Sequence, residues 1–172
     1  MILTIPDPAL VLLVGPSGSG KSTFAAAHFR PTEILSSDAI RAALANDPAD
    51  QDASAEAFRV LAILANGRLK RRLMTVIDAT NLRATNRKRY SAVASRYGIP
   101  TIAIAFDFPT ATYEAHNQGR PDRMVHEHVV AYQATRMRDA MVDLPLERYA
   151  ALHVFSDPSD ADGVAVDRTR DR

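Results

Sequence analysis

Gly15-Pro16-Ser17-Gly18-Ser19-Gly20-Lys21-Ser22 fits the phosphate-binding pattern G-x-x-x-x-G-K-[ST] at every fixed position. The glycines let backbone N–H groups turn inward on phosphate oxygens. A helix starting near Lys21 adds free N–H donors and a positive dipole end. The Lys21 ammonium can reach β- and γ-phosphates, and the Ser22 hydroxyl can ligate Mg²⁺. Gly15, Ser17, Gly18, Ser19, Gly20, Lys21, Ser22 and Thr23 are therefore candidate nucleotide ligands. ATP or another NTP is the expected cofactor, with Mg²⁺ or Mn²⁺.

Ser36-Ser37-Asp38-Ala39-Ile40-Arg41 is a second polar cluster, placed where a strand should end and a helix begin. If Asp38 opens that helix, Arg41 follows one turn later on nearly the same face. The carboxylate can accept the proton of an incoming hydroxyl. The arginine can hold an anion on that acceptor. Ser-Ser-Asp is also a common helix cap, but a place beyond the strand that follows a phosphate-loop helix favours chemistry.

A third cluster closes an apolar run: Val76-Ile77-Asp78-Ala79-Thr80-Asn81. It reads as a Walker B strand, with Asp78 holding the Mg²⁺ shell directly or through water. Asp38 is a second candidate for a water-mediated metal contact. Thr80 and Asn81 then enter a loop rich in hydrogen-bonding groups.

Arg83, Arg87, Lys88 and Arg89 crowd the start of another helix, where positive charge opposes the dipole. An external anion would compensate, so Arg83 and Arg87 join Arg41, Thr80 and Asn81 as candidate acceptor contacts. Arg68, Lys70, Arg71 and Arg72 end a helix, where cations are favoured anyway. In Asn117-Gln118-Gly119-Arg120-Pro121-Asp122-Arg123, Gly119 can end one helix and Pro121 can start the next. Arg120 and Arg123 beside that break suit a lid that closes on the polyphosphate and stabilises charge in transit. His126-Glu127-His128 does not have zinc-motif spacing.

The elements that must position these groups alternate. Apolar, strand-like segments at 10–14, 33–36, 74–78, 101–106 and 152–155 are separated by helical ones at 21–29, 38–44, 54–73, 85–97, 110–118 and 121–141. In the third helix Phe58, Leu61, Ala62, Ala65, Leu69 and Leu73 share one face. Such alternation predicts an α/β fold with a doubly wound, mostly parallel five-stranded sheet; together with the phosphate loop and the helical lid suggested by the break at Gly119–Pro121, it reads as a P-loop NTPase kinase fold. The first and third strands should lie side by side. The kinase domain is expected over 1–155, with the lid at about 116–141. Residues 156–172, rich in Asp, Ser and Arg, read as a loose tail.

Composition limits the rest. At 172 residues and 47% hydrophobic, the chain can bury the core of one domain. A net charge of +1 will not draw in nucleic acid by itself, so any such binding must use local clusters. No apolar run approaches the ~20 residues needed to span a bilayer. There is no cysteine for disulfides or thiolate metal sites. The start of the chain lacks the basic stretch of a signal peptide. The cytoplasm is the expected location.

The assembled motifs resemble the 5′-OH polynucleotide kinase domain of bacterial RNA-repair proteins, the Pnkp type, and the kinase module of phage T4-type polynucleotide kinase. The likeness rests on the phosphate loop, on Pro31-Thr32-Glu33-Ile34-Leu35-Ser36-Ser37-Asp38, on Val76 to Asn81 and on Arg120-Pro121-Asp122-Arg123, in that order. It implies Asp38 as general base for a polynucleotide 5′-hydroxyl. It implies Arg41 as the residue that contacts the terminal nucleotide and orients that base. Lys21 and Ser22 match phosphate and Mg²⁺ ligands, and Arg123 matches a lid arginine on the donor. The chain departs at His116, where the family pattern has an arginine. An imidazole there weakens the grip on the donor and makes it depend on pH, with Arg120 placed to compensate.

The implied partners are RNA or DNA 5′-OH ends. A homodimer is open, since a related module can self-associate. No phosphatase-like D-x-D-G-T run occurs, so this stretch offers kinase chemistry alone; separate phosphatase and ligase partners, or further domains of a longer repair protein, are both open. Two other functions stay open: a P-loop kinase for a small-molecule hydroxyl, and a regulatory nucleotide-binding module.

Overall fold

The structure, a computed structural model, describes residues 1–119 and 125–169. In chain order the elements are β1 (Ile2–Pro6), β2 (Leu10–Val14), α1 (Lys21–His28), β3 (Ile34–Ser36), α2 (Ser37–Ala45), α3 (Ser54–Lys70) and β4 (Thr75–Asp78). They continue with α4 (Ala84–Arg96), β5 (Thr101–Phe106), α5 (Thr110–Gln118), α6 (Glu127–Asp143), β6 (Ala151–Phe155), α7 (Pro158–Asp162) and β7 (Ala165–Thr169). Short 3₁₀ turns precede β3 and follow α6.

Five strands form one parallel sheet in the order β3-β4-β2-β5-β6. The expected neighbours, β2 and β4, do pair. β2 is the centre because every one of its residues is buried. Its alternation sends side chains to two faces. Val11 and Leu13 join Ile5, Phe24, Ile104 and Phe106 on one side. Leu10, Leu12 and Val14 join Leu61, Ile77, Ala103 and Leu144 on the other. A strand buried on both faces needs a continuous apolar run, which is how residues 10–14 read.

After β2 the chain runs to the edge strand β3, returns inward to β4 beside β2, then crosses to β5 and β6 on the other side. The order reverses at the carboxyl end of β2, where a parallel α/β sheet opens a crevice for ligands. The phosphate loop starts at that point.

The structure revises the sequence reading in three places. The tail expected over 156–172 instead contains α7 and β7 up to residue 169. β7 pairs in parallel with β1 as a separate two-stranded sheet. Leu3 and Ile5 of β1 pack into the core beside Val164. Arg168 ties β7 to the main body through Glu33 at 2.6 Å and lies over the Phe29 ring. Secondly, Leu73 falls past the end of α3 and is exposed, although Leu61, Ala65 and Leu69 do line its buried face. Thirdly, the expected lid range takes in most of α6, but Val130, Ala134, Met137 and Ala140 at helical spacing bury α6 against the sheet. Among the described residues no helix is long and apolar enough to cross a membrane.

Candidate active site

The phosphate loop leaves β2 at Gly15, whose N–H donates to Thr80 O at 3.0 Å and joins the loops after β2 and β4. Gly18 and Gly20 take φ values of 80° and 85°. At Gly18 space is short as well: a Cβ would lie 2.6 Å from Tyr113 O and 2.7 Å from Asn117 Nδ2. Both are on α5, so the loop is pressed against that helix. Gly18→Ala is therefore expected to cost about 1–3 kcal/mol from backbone strain alone, with a larger loss from the clash. Chemical unfolding of the variant, followed by calorimetry with Mg·ADP on the folded protein, checks this.

Lys21 is buried at the start of α1, with Nζ donating to Pro16 O at 2.7 Å and to Ser19 Oγ at 3.1 Å. The ammonium is thus held over its own loop. Ser22 follows on the first turn, exposed and lining a cleft of about 770 Å³. That size suits a nucleotide site.

The start of α2 lines the same cleft. Its cap is Ser36, whose Oγ accepts from Ala39 N. Asp38 consequently sits inside the first turn, where the helix dipole favours a carboxylate. Asp38 and Arg41 form an ion pair one turn apart, and Arg41 Nε also donates to Pro48 O at 2.8 Å. Arg41 is almost fully buried, so its guanidinium is fixed in place. Asp78, at the end of β4, is buried and lines the same cleft. Thr80 and exposed Arg83 also border it.

The donor set fits a nucleotide-bound Mg²⁺. Mg²⁺ is usually held by one or two carboxylates plus substrate phosphates and water, and the Ser22 hydroxyl and the Asp78 carboxylate share one cleft. Among the described residues no group of three His, Cys, Asp or Glu could hold a metal unaided.

Several expected contacts lie elsewhere. Arg87 is fully buried and does not reach the cleft. Its Nε donates to Glu147 Oε2 at 3.0 Å, and its Nη1 donates to Asn81 O and Leu82 O. Burial works to raise the Glu147 pKa. Hydrogen bonds from Arg87 and Tyr149 and the Arg87 charge outweigh it and leave the carboxyl below its ordinary value. Asn81 is also buried, and its Nδ2 donates to Leu13 O, Ile77 O and Ala79 O. It braces the ends of β2 and β4 and is not open to an acceptor. Thr23 is exposed on α1 and Gly15 lies behind the loop, so neither lines the cleft. His116 places Nδ1 2.8 Å from Gly18 O, against the loop backbone. Arg120 and Arg123 fall outside the described residues.

Three polar residues escape a sequence reading. Asn117 is buried and bridges α5 to the loop: Nδ2 donates to Ser17 O at 3.0 Å, and Oδ1 accepts from Ser17 Oγ at 3.2 Å. Tyr113, one turn earlier, locks the start of α5 by donating to Phe106 O and accepting from Phe108 N. Burial pushes its phenol up to about 12, so it stays protonated in that role. Gln133 reaches the loop from α6 and lines the cleft with Arg136. Val129, Gln133 and Arg136 share a helical face, but nothing local shows that this face meets residues over a hundred positions away.

Comparison with known proteins agrees with this fold. A chain in the structure of the Pnkp1/Rnl/Hen1 RNA repair complex superposes with a TM-score of 0.69 at 20% identity, covering 81% of this chain and 47% of that one. This chain thus spans about half of that relative. A sugar kinase from Janibacter sp. HTCC2649 superposes with a TM-score of 0.53 at 17% identity, covering 95% and 85%. The APS kinase CysC of Mycobacterium tuberculosis does so at 0.50 and 22% identity, covering 80% and 99%. No curated protein matches the sequence. The family described as AAA domain matches residues 10–144, from the first residue of β2 to the end of α6. The chain therefore belongs to the AAA domain family and has a P-loop kinase-like fold.

Proposed function

We propose that this protein is a polynucleotide 5′-hydroxyl kinase, transferring the γ-phosphate of an NTP to the 5′-OH end of RNA or DNA. The observation that carries the reading is the Asp38–Arg41 pair, which lines one cleft together with the phosphate loop. Phosphoryl transfer needs a carboxylate near the attacking hydroxyl and fixed cations near the phosphates. The two groups come from different strand ends of one sheet, so the fold holds them at a set separation.

In this reading the 5′-oxygen attacks the γ-phosphorus in line. A new oxygen–phosphorus bond forms as the bond to the β-phosphate oxygen breaks. The hydroxyl proton passes to the Asp38 carboxylate, and NDP leaves. Lys21 neutralises charge on the donor, while Arg41 holds and orients the acceptor end. Ser22 and Asp78 would hold Mg²⁺, which would supply charge neutralisation on the donor phosphates. Arg83, exposed at the cleft rim, is placed to meet an acceptor phosphate. Arg120 and Arg123 keep the lid role that the family likeness gives them. The kinase domain then runs through β7 and is not limited to 1–155. Its partners are 5′-OH ends in the cytoplasm.

A second reading has its own support. The fold is shared with a sugar kinase and an APS kinase, so a small-molecule hydroxyl is the alternative acceptor. The deciding experiment is transfer of labelled γ-phosphate to 5′-OH RNA and DNA oligonucleotides. Matched 5′-phosphorylated strands and a panel of sugars and nucleosides serve as comparison. Label confined to 5′-OH ends is the expected result. Label on a small molecule and none on oligonucleotides overturns it.

A further inference from the structure

Ser17, the third residue of the phosphate loop, does not present its N–H to the cleft. Gln133 Oε1 of α6 accepts that hydrogen at 2.7 Å. An N–H can only donate, so the Gln133 amide orientation is fixed by chemistry: Oε1 toward Ser17, Nε2 away from it. Both partners are held. Asn117 grips Ser17 from its other side. Val130, Ala134 and Met137 bury α6 on either side of Gln133. Gln133 lines the cleft together with Lys21, Asp38 and Asp78. Its Nε2 has no hydrogen-bond partner among the described residues, which leaves its donors for a ligand.

The helix-start N–H groups, from Gly20 to Ser22, suit the inner phosphates of a nucleotide. The first half of the loop and Lys21 then face the outermost one. We propose that Gln133 is a ligand of the terminal phosphate, its Nε2 donating in place of the Ser17 N–H that Oε1 covers. The loop donor is relayed through the side-chain amide, and the relay polarises Nε2–H toward an anion. This inference rests on the nucleotide-dependent kinase reading but not on the identity of the acceptor.

Gln133→Glu separates this role from simple anchoring. A carboxylate still accepts from Ser17 N–H, so the loop stays tethered, but the outward donor becomes a negative oxygen. Calorimetry would compare Mg·ADP with a non-hydrolysable Mg·ATP analogue. In Gln133→Glu the analogue is expected to bind about tenfold or more weakly, the scale of one hydrogen bond to a charged group. Mg·ADP should stay within about twofold of the native protein, a difference of a few tenths of a kcal/mol. Normal ADP binding also shows that the variant is folded. Gln133→Ala, which lacks both groups, is expected to lose analogue affinity too. Native analogue affinity in either variant, or equal weakening of both nucleotides in Gln133→Glu, overturns the assignment. A native protein that binds both nucleotides but labels no 5′-OH end defeats the acceptor assignment alone.

Discussion

Asp38→Asn is expected to lower the rate of phosphate transfer by about 10²–10⁴-fold, the usual contribution of a general base. Mg·ADP affinity should hardly change. The carboxylate lies in the first turn of α2, an element separate from the phosphate loop although both line one cleft, so its loss should spare the donor phosphates. Asparagine keeps the side-chain shape and one oxygen for Arg41, while losing the ability to take a proton. Asp38→Ala removes both, and among the described residues leaves Arg41 with Pro48 O as its hydrogen-bond acceptor. The two variants therefore split the effect. Similar losses place it in proton transfer. A much larger loss in alanine would assign Asp38 chiefly to holding Arg41. Native rates in both would rule out the mechanism. Single-turnover measurement with saturating nucleotide isolates the step.

Arg87→Met is expected to destabilise the fold by about 3–5 kcal/mol, because it strands the Glu147 charge in the interior. The Glu147 side chain is only 4% exposed, so water cannot replace the lost guanidinium. Removing the charge as well, in Arg87→Met with Glu147→Gln, should recover much of the loss, and urea unfolding of the three proteins tests it. The pH dependence has a definite sign. Glu147 has a folded pKa below its ordinary 4.5. Its stabilisation is present above that ordinary value and is lost as pH falls through the folded one. Without Arg87 the burial effect dominates and the folded pKa rises. The deficit of Arg87→Met should thus be greatest near neutral pH and shrink toward pH 4. A deficit independent of pH contradicts the pairing. At a temperature where the variant is folded, unchanged acceptor KM is expected, because Arg87 does not line the cleft.

The difference between Arg83 and Arg87 shows where sequence reading stops. Both belong to one basic stretch at the start of α4, and local spacing treats them alike. Arg83 stays on the cleft rim, while Arg87 turns inward to Glu147, sixty positions later. Burial of a charge depends on a partner that only the folded chain brings near. Asn81 behaves similarly: a polar residue after a strand is used to tie β2 to β4.

The five strands of the main sheet were legible because buried parallel strands need unbroken apolar runs, and residues 10–14 and 101–106 are such runs. The phosphate loop, the capped start of α2 and Asp78 were legible for a related reason: their chemistry depends on residues adjacent in the chain. β7 was not, because its outward positions are polar and its support comes from β1 and from Glu33 at the far end of the chain. Asn117 and Gln133 were not, because each is an ordinary polar residue on a helix until the sheet order sets α5 and α6 against the loop. The sequence by itself determined the elements and the chemistry that neighbouring residues share. Only the tertiary structure decided which charges are buried and which helices hold the phosphate loop, since both depend on contacts between segments far apart in the chain.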